Sequence, residues 1–476
     1  MNFNELNFIK KKLNEILEYN DELRKVSWLY IPKLHPSIIK NYETILNNKT
    51  YLKNTFLYYL NICFKIIKLF AYFFYISFFI KKFQFSNQNH NNYDLLILSH
   101  LINNNKINFK NDYIFNGIID KLNNKNYKSF IVYLNHFNNY NNNYILSKNI
   151  GFKNNIKFTI KYLKLFYRYF SMNKLKNFEF NYKLKRKLIL EILSTSNIYN
   201  EIISEQIIIL LLKLNIKNIL ITYEGYALER FIINKVKKSK VNIRCIAYNH
   251  SGLWPGQNSM KLDMGNNYNP DIIYFAGKIH NRRFFNANKI KIKTGILGSN
   301  RNFQVKKIQS NEHLTVLFLP EGILDEVKNM LSFALKICAS DANINCIFRF
   351  HPDINSQIKN LSIYTSKYNN LTFSKNTFED DLSISNLAIY RGSTTCVAAL
   401  ANKIIPIYYD LGDNINIDFL YDFSEFKFKV SNLNEFNKIK NNYKKIMNTH
   451  NAKKDKIEKY CEEIFYNKIK LINLQK

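Results

Sequence analysis

Residues 386 to 409 read NLAIYRGSTTCVAALANKIIPIYY, and this stretch decides the fold class. A short apolar run, NLAIY, leads through a polar turn into the helical stretch CVAALANK, and a second apolar run follows. Short apolar runs on either side of a helix are typical of a βαβ unit whose parallel strands are buried on both faces. The segment therefore predicts a parallel α/β sheet.

The same alternation occurs in two blocks that are separated by the polar residues 299–313. Strands are predicted at 94–100, 129–136, 216–225, 241–252, 271–277 and 292–298 in the first block, and at 314–322, 344–352, 371–375, 386–392 and 403–410 in the second. The blocks predict two doubly wound Rossmann-like domains facing a central cleft, and in such sheets ligands bind beyond the carboxyl ends of the strands. The 476 residues are also too many for one ordinary core.

Four regions follow from these patterns. They are a helical N-terminal region (1–90), an N-terminal Rossmann-like domain (91–305), a C-terminal Rossmann-like domain (306–430) and C-terminal helices (431–476). The formal charge of +33 indicates attraction to anionic partners, although the wealth of Lys, Asn, Ile, Tyr and Phe is also what an AT-rich genome favours. The sequence has no helix-turn-helix, zinc-finger or RNP-like motif, so we expect no specific nucleic-acid binding.

Residues 64–83 are the segment most suited to contact with lipid. Their uncharged, largely apolar run, Leu69 to Ile80, is shorter than the ~20 residues of a spanning helix, and lysines flank it at positions 65, 68, 81 and 82. Two alternatives remain open ahead of a true span: a helix lying among anionic headgroups, or a buried helix of the N-terminal region. The six cysteines form no CxxC pair and the N-terminus does not resemble a signal peptide, so we expect a cytoplasmic protein, placed at the inner face of the membrane if 64–83 contacts lipid.

Two motifs lie where predicted strands of the second block end. NLAIY leads into Arg391, Gly392, Ser393, Thr394 and Thr395, and INCIFRF leads into His351 and Pro352. Gly392 permits a tight turn, Ser393 or Thr394 can cap the helix, and hydroxyls with free backbone N–H groups attract an anion. Each motif alone is an ordinary cap or strand exit, as a second His–Pro at 35–36 illustrates. Together they predict a phosphate site, in which the histidine binds or protonates a departing phosphate.

These residues resemble the C-terminal half of bacterial GT-B glycosyltransferases that use CMP-linked donors. RFHPD followed by SNLAIYRGSTTCVAALANKIIPIYY is similar to the HP and Ser/Thr motifs of sialyltransferases and polysialyltransferases, and capsule Kdo transferases and CDP-glycerol polymerases have a comparable arrangement. The resemblance spans about residues 220–410. It implies that His351 contacts the donor phosphate and that Ser393, Thr394 and Thr395 bind it. The C-terminal domain would then hold the donor, and the N-terminal domain the acceptor.

The same resemblance implies a general base in the N-terminal domain, and two candidates stay open. The sialyltransferases have an acidic pair before a glycine, and TYEGYALER offers one acid, Glu224. The CDP-glycerol polymerases use a His–Gly motif, which His250 in AYNHSGLWPG resembles. Glu224 could instead be a carboxylate interacting with a helix dipole, and His250 an ordinary loop histidine.

The remaining polar groups of the second block have two interpretations each. Glu321 and Gly322 either contact a sugar or nucleobase or simply begin a helix, and Arg349 and Arg391 either neutralise phosphate charge or form surface salt bridges. EDDL at 379–382 is interpreted as an acidic surface turn or helix start. Since no DxD pair stands at a strand end, we expect a metal-independent mechanism without a cofactor.

The function predicted from sequence is that of an inverting glycosyltransferase. It would move a sugar from a nucleotide-sugar donor, CMP-linked nonulosonic acid or Kdo first, to a surface-polysaccharide or lipid-linked glycan acceptor. A CDP-glycerol-type polyol phosphotransferase and a non-catalytic GT-B scaffold or glycan-binding protein are the alternatives.

Overall fold

The chain folds into two compact units. The computed structural model describes residues 11–18, 20–29, 50–85, 93–101, 112, 114–135, 145–171, 182–239, 241–255, 257, 259–260, 262–285, 292–301, 313–351, 354, 368–412, 416–423 and 425–474. The N-terminal unit comprises residues 1–252, 256–300 and 468–476, and the C-terminal unit comprises 253–255 and 301–467. The final residues of the chain thus belong to the N-terminal unit, where the backbone N–H of Lys470 donates to the carbonyl of Leu297 at 2.7 Å.

The N-terminal unit contains a sheet of six described strands, all parallel, in the order β2-β1-β3-β4-β5-β6. They are β1 (Leu95–Leu101), β2 (Ser129–Asn135), β3 (Asn218–Thr222), β4 (Arg244–Asn249), β5 (Ile272–Phe275) and β6 (Lys293–Ile296). Every residue of β3 is buried, as expected for a parallel strand covered by helices on both faces. The strand order reverses between β1 and β3, which is a topological switch point.

Helices cover this sheet and extend it into a helical layer. They are α1 (Thr50–Lys53), α2 (Thr55–Phe78), α3 (Asn116–Asn123), α4 (Phe152–Ser171), α5 (Tyr182–Ile192), α6 (Thr195–Lys213), α7 (Ala227–Lys238) and α8 (Lys278–Phe285). Residues 11–18 are also helical, and 3₁₀ turns span Leu23–Lys25 and Ser27–Leu29.

A core of buried aliphatic and aromatic side chains holds this layer together. One stripe of α2, including Ile62, Leu69 and Ile76, packs in the same core as Tyr162 of α4 and Leu188 of α5. Each such buried side chain contributes roughly 1.5–3 kcal/mol of stability. Of the segment 64–83, residues 64–78 lie in α2, which is buried along this one stripe.

A buried carboxylate, Glu201 on α6, adds ion pairs to this core. It is 1% exposed and pairs with Lys161 of α4 and Lys235 of α7. Burial alone would raise the pKa of Glu201, but the charges of the two lysines hold it below its ordinary value. These ion pairs therefore link helices α4, α6 and α7.

The C-terminal unit contains a second all-parallel sheet of six described strands, in the order β12-β11-β10-β7-β8-β9. The strands are β7 (Leu314–Leu319), β8 (Ile344–Phe348), β9 (Leu371–Phe373), β10 (Leu387–Tyr390), β11 (Ile405–Tyr409) and β12 (Phe428–Val430). If β7 to β12 are numbered 1 to 6, the order that begins at the β9 edge is 3-2-1-4-5-6, which is the Rossmann order. The switch point lies between β7 and β10. The flanking helices are α9 (Leu324–Ser340), α10 (Phe378–Ser383), α11 (Thr395–Ala401), α12 (Leu433–Asn441), α13 (Tyr443–Ala452) and α14 (Lys454–Ile464).

The predicted fold class, two doubly wound Rossmann-like domains of the GT-B type, is confirmed by these two sheets. The predicted cleft between the two domains stays a prediction.

Candidate functional site

Three strand ends meet at the switch point of the C-terminal unit. Glu321 and Gly322 follow β7, His351 follows β8 and Gly392 follows β10, and β7 lies between the other two strands. A Cβ placed on Gly322 would lie 2.8 Å from Nδ1 of His351. A Cβ placed on Gly392 would lie 2.9 Å from the carboxyl carbon of Glu321. The His351 motif and the Gly392 motif, both predicted from sequence, therefore lie close together, with Glu321 and Gly322 between them.

Gly392 has two physical reasons to be glycine. Its φ of +71° is a conformation that other residues seldom adopt, and the Glu321 side chain lies over its Cα. A side chain at position 392 would displace Glu321 from the switch point.

The hydroxyl groups after Gly392 are ordered by one another and by an arginine. The Ser393 and Thr395 hydroxyl oxygens lie 2.6 Å apart, and Arg301 donates to Oγ1 of Thr394 at 2.7 Å. Thr394 occupies the N-cap position of α11, but its hydroxyl holds Arg301 instead of capping the helix. The Arg301 guanidinium also lies 4.4 Å from the ring centroid of Phe465.

The two arginines proposed from sequence to neutralise phosphate are engaged in ion pairs. Arg391 is fully buried, its Nε donates to Glu326 at 2.5 Å, and its Nη1 donates to the Tyr408 hydroxyl at 3.0 Å. Glu326 is 2% exposed, so this is a buried pair and not the surface salt bridge considered as its alternative.

Arg349 donates to Asp381 at 2.7 Å, and the Asp381 carboxylate also accepts from the Ser374 hydroxyl at 2.5 Å. Asp381 is fully buried within α10, so EDDL at 379–382 is a helix and its third residue is not on the surface. Pro352 lies outside the described residues.

In the N-terminal unit, Glu224 lies two residues beyond Thr222, the last residue of β3 paired with β4, at the carboxyl edge of the sheet. Its Oε1 accepts a hydrogen bond of 2.5 Å from the hydroxyl of Ser251, which follows the neighbouring strand β4. Burial raises the pKa of Glu224, while hydrogen bonds from Ser251 and Tyr226 oppose the rise. A partly buried carboxyl group with a raised pKa is the kind of group that serves as a general base near neutral pH.

A second acid, Glu229, fixes the loop that carries Glu224. Its carboxylate accepts from the backbone N–H groups of Glu224 at 3.0 Å, Gly225 at 2.7 Å and Tyr226 at 2.8 Å. Burial, and then the charge of Glu224, raise the pKa of Glu229 well above its ordinary value. Sequence reasoning missed this residue, although an acid at the third helical position is the signal of a capping box.

Gly225 brings this loop close to another segment. Its φ is +82°, and a Cβ at this position would lie 2.6 Å from the carbonyl carbon of Ser259. The Ser259 hydroxyl donates to the carbonyl of Glu224 at 2.5 Å, so the loop is held from both sides.

Two histidines also lie at this edge of the sheet. His100 is the next-to-last residue of β1, at the switch point, and its Nε2 lies 2.8 Å from the hydroxyl of Thr222 on β3. His250, the rival base, is partly buried next to Ser251, with its ring centroid 6.2 Å from that of Tyr248. His100 was not singled out from sequence, because only the strand order shows that β1 lies beside β3.

Among the described residues, no group of three or more His, Cys, Asp or Glu side chains is arranged to hold a metal ion. The expected metal-independent mechanism stays a prediction.

Comparison with known proteins gives similarity only at the level of solved structures. The sequence matches no family model and no curated protein. The UDP-GlcNAc 2-epimerase from Methanocaldococcus jannaschii, solved with UDP-GlcNAc and UDP, is similar at 13% identity and a TM-score of 0.44, covering 74% of this chain and 92% of that one.

MurG from Acinetobacter baumannii is similar at 9% identity and a TM-score of 0.43, covering 77% of this chain and 95% of that one. The UDP-GlcNAc 2-epimerase from Neisseria meningitidis, bound to UDP-GlcNAc, has the same identity and TM-score, with 79% and 95% covered. Similarity at this level concerns the fold and assigns no activity to this chain.

The buried pair of Arg391 and Glu326 gives a stability prediction. We expect Arg391→Met to lower the free energy of unfolding by about 3–5 kcal/mol, because it leaves a carboxylate buried without its partner. The double variant R391M/E326L should recover most of the loss. Urea unfolding of both variants measures this. The control is Lys456→Met, which breaks an exposed pair with Glu425 and should cost no more than about 1 kcal/mol. A loss for R391M no larger than that of K456M would contradict the prediction.

Gly225 gives a second prediction, with Gly265 as its matched control. Gly265 has a similar φ of +77°, but a Cβ there meets no atom within 4 Å. Gly265→Ala should therefore show only the strain of a positive φ, about 1–2 kcal/mol. Gly225→Ala should cost more, because its methyl group also meets the Ser259 backbone. Equal losses in thermal unfolding would mean that the close approach to Ser259 is unimportant.

Proposed function

We propose that this protein is a glycosyltransferase that moves a sugar from a nucleotide-sugar donor to a glycan acceptor with inversion at the anomeric carbon. The observation that carries the proposal is the convergence of His351, Glu321 and Gly392 with the Ser393 and Thr395 hydroxyls at the switch point of the C-terminal sheet. Switch points are where open α/β sheets bind nucleotides. The resemblance of the HP and Ser/Thr motifs to those of GT-B transferases supports the same reading.

In this proposal the C-terminal unit binds the donor phosphate. The Ser393 and Thr395 hydroxyls and the backbone N–H groups after Gly392 donate to phosphate oxygens. His351 donates a proton or hydrogen bond to the phosphate oxygen that receives the electron pair when its bond to the sugar breaks. Arg301 holds Thr394 and adds positive charge beside these groups. Arg391 and Arg349 act indirectly, since their ion pairs hold the strand ends in place.

The N-terminal unit supplies the base. Glu224 takes the proton of the acceptor hydroxyl as the hydroxyl oxygen forms its bond to the anomeric carbon. Ser251 and Tyr226 orient the carboxylate, and Glu229 holds the loop beneath it. A raised pKa makes Glu224 a stronger base than an exposed glutamate.

The resemblance favours a CMP-linked nonulosonic acid or Kdo as donor, and a surface polysaccharide or lipid-linked glycan as acceptor. The rival polyol phosphotransferase would use the same phosphate site with His250 as base. A cytoplasmic location at the inner face of the membrane fits a lipid-linked acceptor.

A nucleotide screen with variants of His351 tests the donor site. We expect CMP to raise the thermal midpoint, because a ligand at 100 times its Kd stabilises the folded state by about 2.7 kcal/mol. His351→Ala should lower kcat by about 10²–10⁴-fold, the usual contribution of a general acid. Donor turnover, followed as released nucleotide, measures the second effect.

The control for His351 is His313→Ala, which removes an exposed histidine ahead of β7 in the same unit. It should leave nucleotide binding and turnover unchanged. Stabilisation by UDP or GDP but not by CMP or CDP would refute the cytidine donor while keeping the phosphate site. Full turnover by H351A would refute the role of the histidine.

The pH dependence of turnover tests the base. Glu224 acts when deprotonated, so its raised pKa places the acid limb of kcat/KM above the ordinary glutamate value of 4.5. Ser251→Ala removes a hydrogen bond that lowers this pKa, so the limb should move to still higher pH. Glu224→Gln should abolish the limb and most activity.

His250→Asn separates the two candidate bases. The polyol phosphotransferase would be the correct assignment under two conditions. E224Q keeps its activity while H250N loses it, and the wild-type protein forms a phosphodiester product. If the acid limb of kcat/KM stays at the same pH in S251A, the assignment of this limb to Glu224 is wrong.

A further inference from the structure

The outward face of α2 is unusually apolar for a protein surface. Phe64, Ile67 and Phe78 are 62%, 63% and 65% exposed, and the other exposed apolar residues of this helix and its end are Phe56, Tyr59, Leu60, Phe70, Phe74, Tyr75 and Phe79. The helix is long and apolar enough to cross a membrane by length and composition, and 22% of its most apolar window is buried. A contiguous apolar surface of this extent marks an interaction site.

Helix α4 continues this face. Phe152, at the start of α4, is half-exposed, and its ring centroid lies 5.3 Å from that of Phe73 and 5.9 Å from that of Phe78. Ile160 and Tyr167 are exposed further along α4. The exposed apolar residues of α2, Phe79 and these three residues of α4 are called the aromatic face below.

The charges around the aromatic face are cationic. Five lysines are exposed on or beside it, at positions 68, 81, 82, 153 and 157. The sequence contains no aspartate or glutamate from 51 to 93 or from 121 to 178. Apolar rings flanked by lysines, on two helices that contain no acidic residue, match an anionic lipid surface, where rings enter the headgroup region and lysines meet phosphates.

The opposite side of α2 decides how it meets lipid. Tyr58, Ile62, Leu69 and Ile76 lie in the core of the helical layer. Lys65 lies on the same helix, 3.3 Å from Glu191 of α5. A spanning helix would have to take these contacts out of the fold, whereas a helix lying in the plane of the membrane keeps them.

We propose that the aromatic face docks the N-terminal unit on an anionic lipid bilayer, with α2 lying in the interface. This inference does not depend on the proposed transferase activity, since its readout is lipid binding.

Vesicle sedimentation of the full chain tests the docking. We expect binding to phosphatidylcholine vesicles containing phosphatidylglycerol, weaker binding to phosphatidylcholine alone, and release in high salt. The double variant F74E/F78E should weaken binding by at least about tenfold, because two rings no longer leave water. K81Q/K82Q should weaken binding to the anionic vesicles by roughly tenfold to thirtyfold and leave binding to neutral vesicles unchanged.

The matched control is Phe285→Glu, which places one glutamate at a half-exposed phenylalanine of α8 outside the aromatic face. It should bind like the wild type, and circular dichroism melting should show all three variants folded. Equal loss of binding in F285E would overturn the assigned face. If the protein does not bind vesicles but forms a dimer that F74E/F78E abolishes, a second copy of the chain covers the aromatic face and the proposal is wrong. If the protein leaves the bilayer only when detergent is added, α2 spans the membrane.

Discussion

The candidate site depends on the parallel register of three strands. β10 pairs with β7 so that Tyr390 lies opposite Leu319, and β7 pairs with β8 so that Phe318 lies opposite Phe348. Because the strands run in the same direction, the residues that follow each of them emerge at one edge of the sheet. Segments at 320–322, 349–351 and 391–395 are far apart in sequence, yet the register alone brings them together. Every chemical role proposed for the C-terminal unit rests on this pairing.

Buried ionisable groups then hold the loops that leave the strands. Arg391 is tied to Glu326 and to the end of β11, so the turn at Gly392 starts from a fixed point. In the N-terminal unit, Glu229 fixes the loop of Glu224 by accepting hydrogen bonds from three of its backbone N–H groups. Such groups are costly to bury unless every polar atom finds a partner, and once paired they permit few other backbone conformations. In both units the charged residue fixes a neighbouring loop instead of meeting a ligand directly.

This division of roles explains what the sequence could and could not predict. Short apolar runs predicted the strands, because both faces of a parallel strand are buried, and the polar residues after them indicated the candidate site. The sequence did not show that Arg391 is buried, since an arginine after a strand looks the same whether it meets phosphate or a buried glutamate. Arg301 and His100 were missed because their contacts with Thr394 and Thr222 join segments 93 and 122 residues apart. Only the strand order and the folded chain reveal such contacts.

Helix α2 shows a different limit of sequence reasoning. The uncharged, largely apolar run of residues 69–80 suggested a segment too short to span a bilayer, because lysines at 65 and 68 precede it. The folded helix is 24 residues long, and the two lysines have different surroundings: Lys65 contacts Glu191, while Lys68 is exposed. The core-helix interpretation therefore applies to one side of this element, and the lipid contact that we propose concerns the opposite side. An amphipathic helix with aromatic rings on the outer side needs both, since the buried stripe anchors the helix to the protein and leaves the rings free to enter another apolar phase.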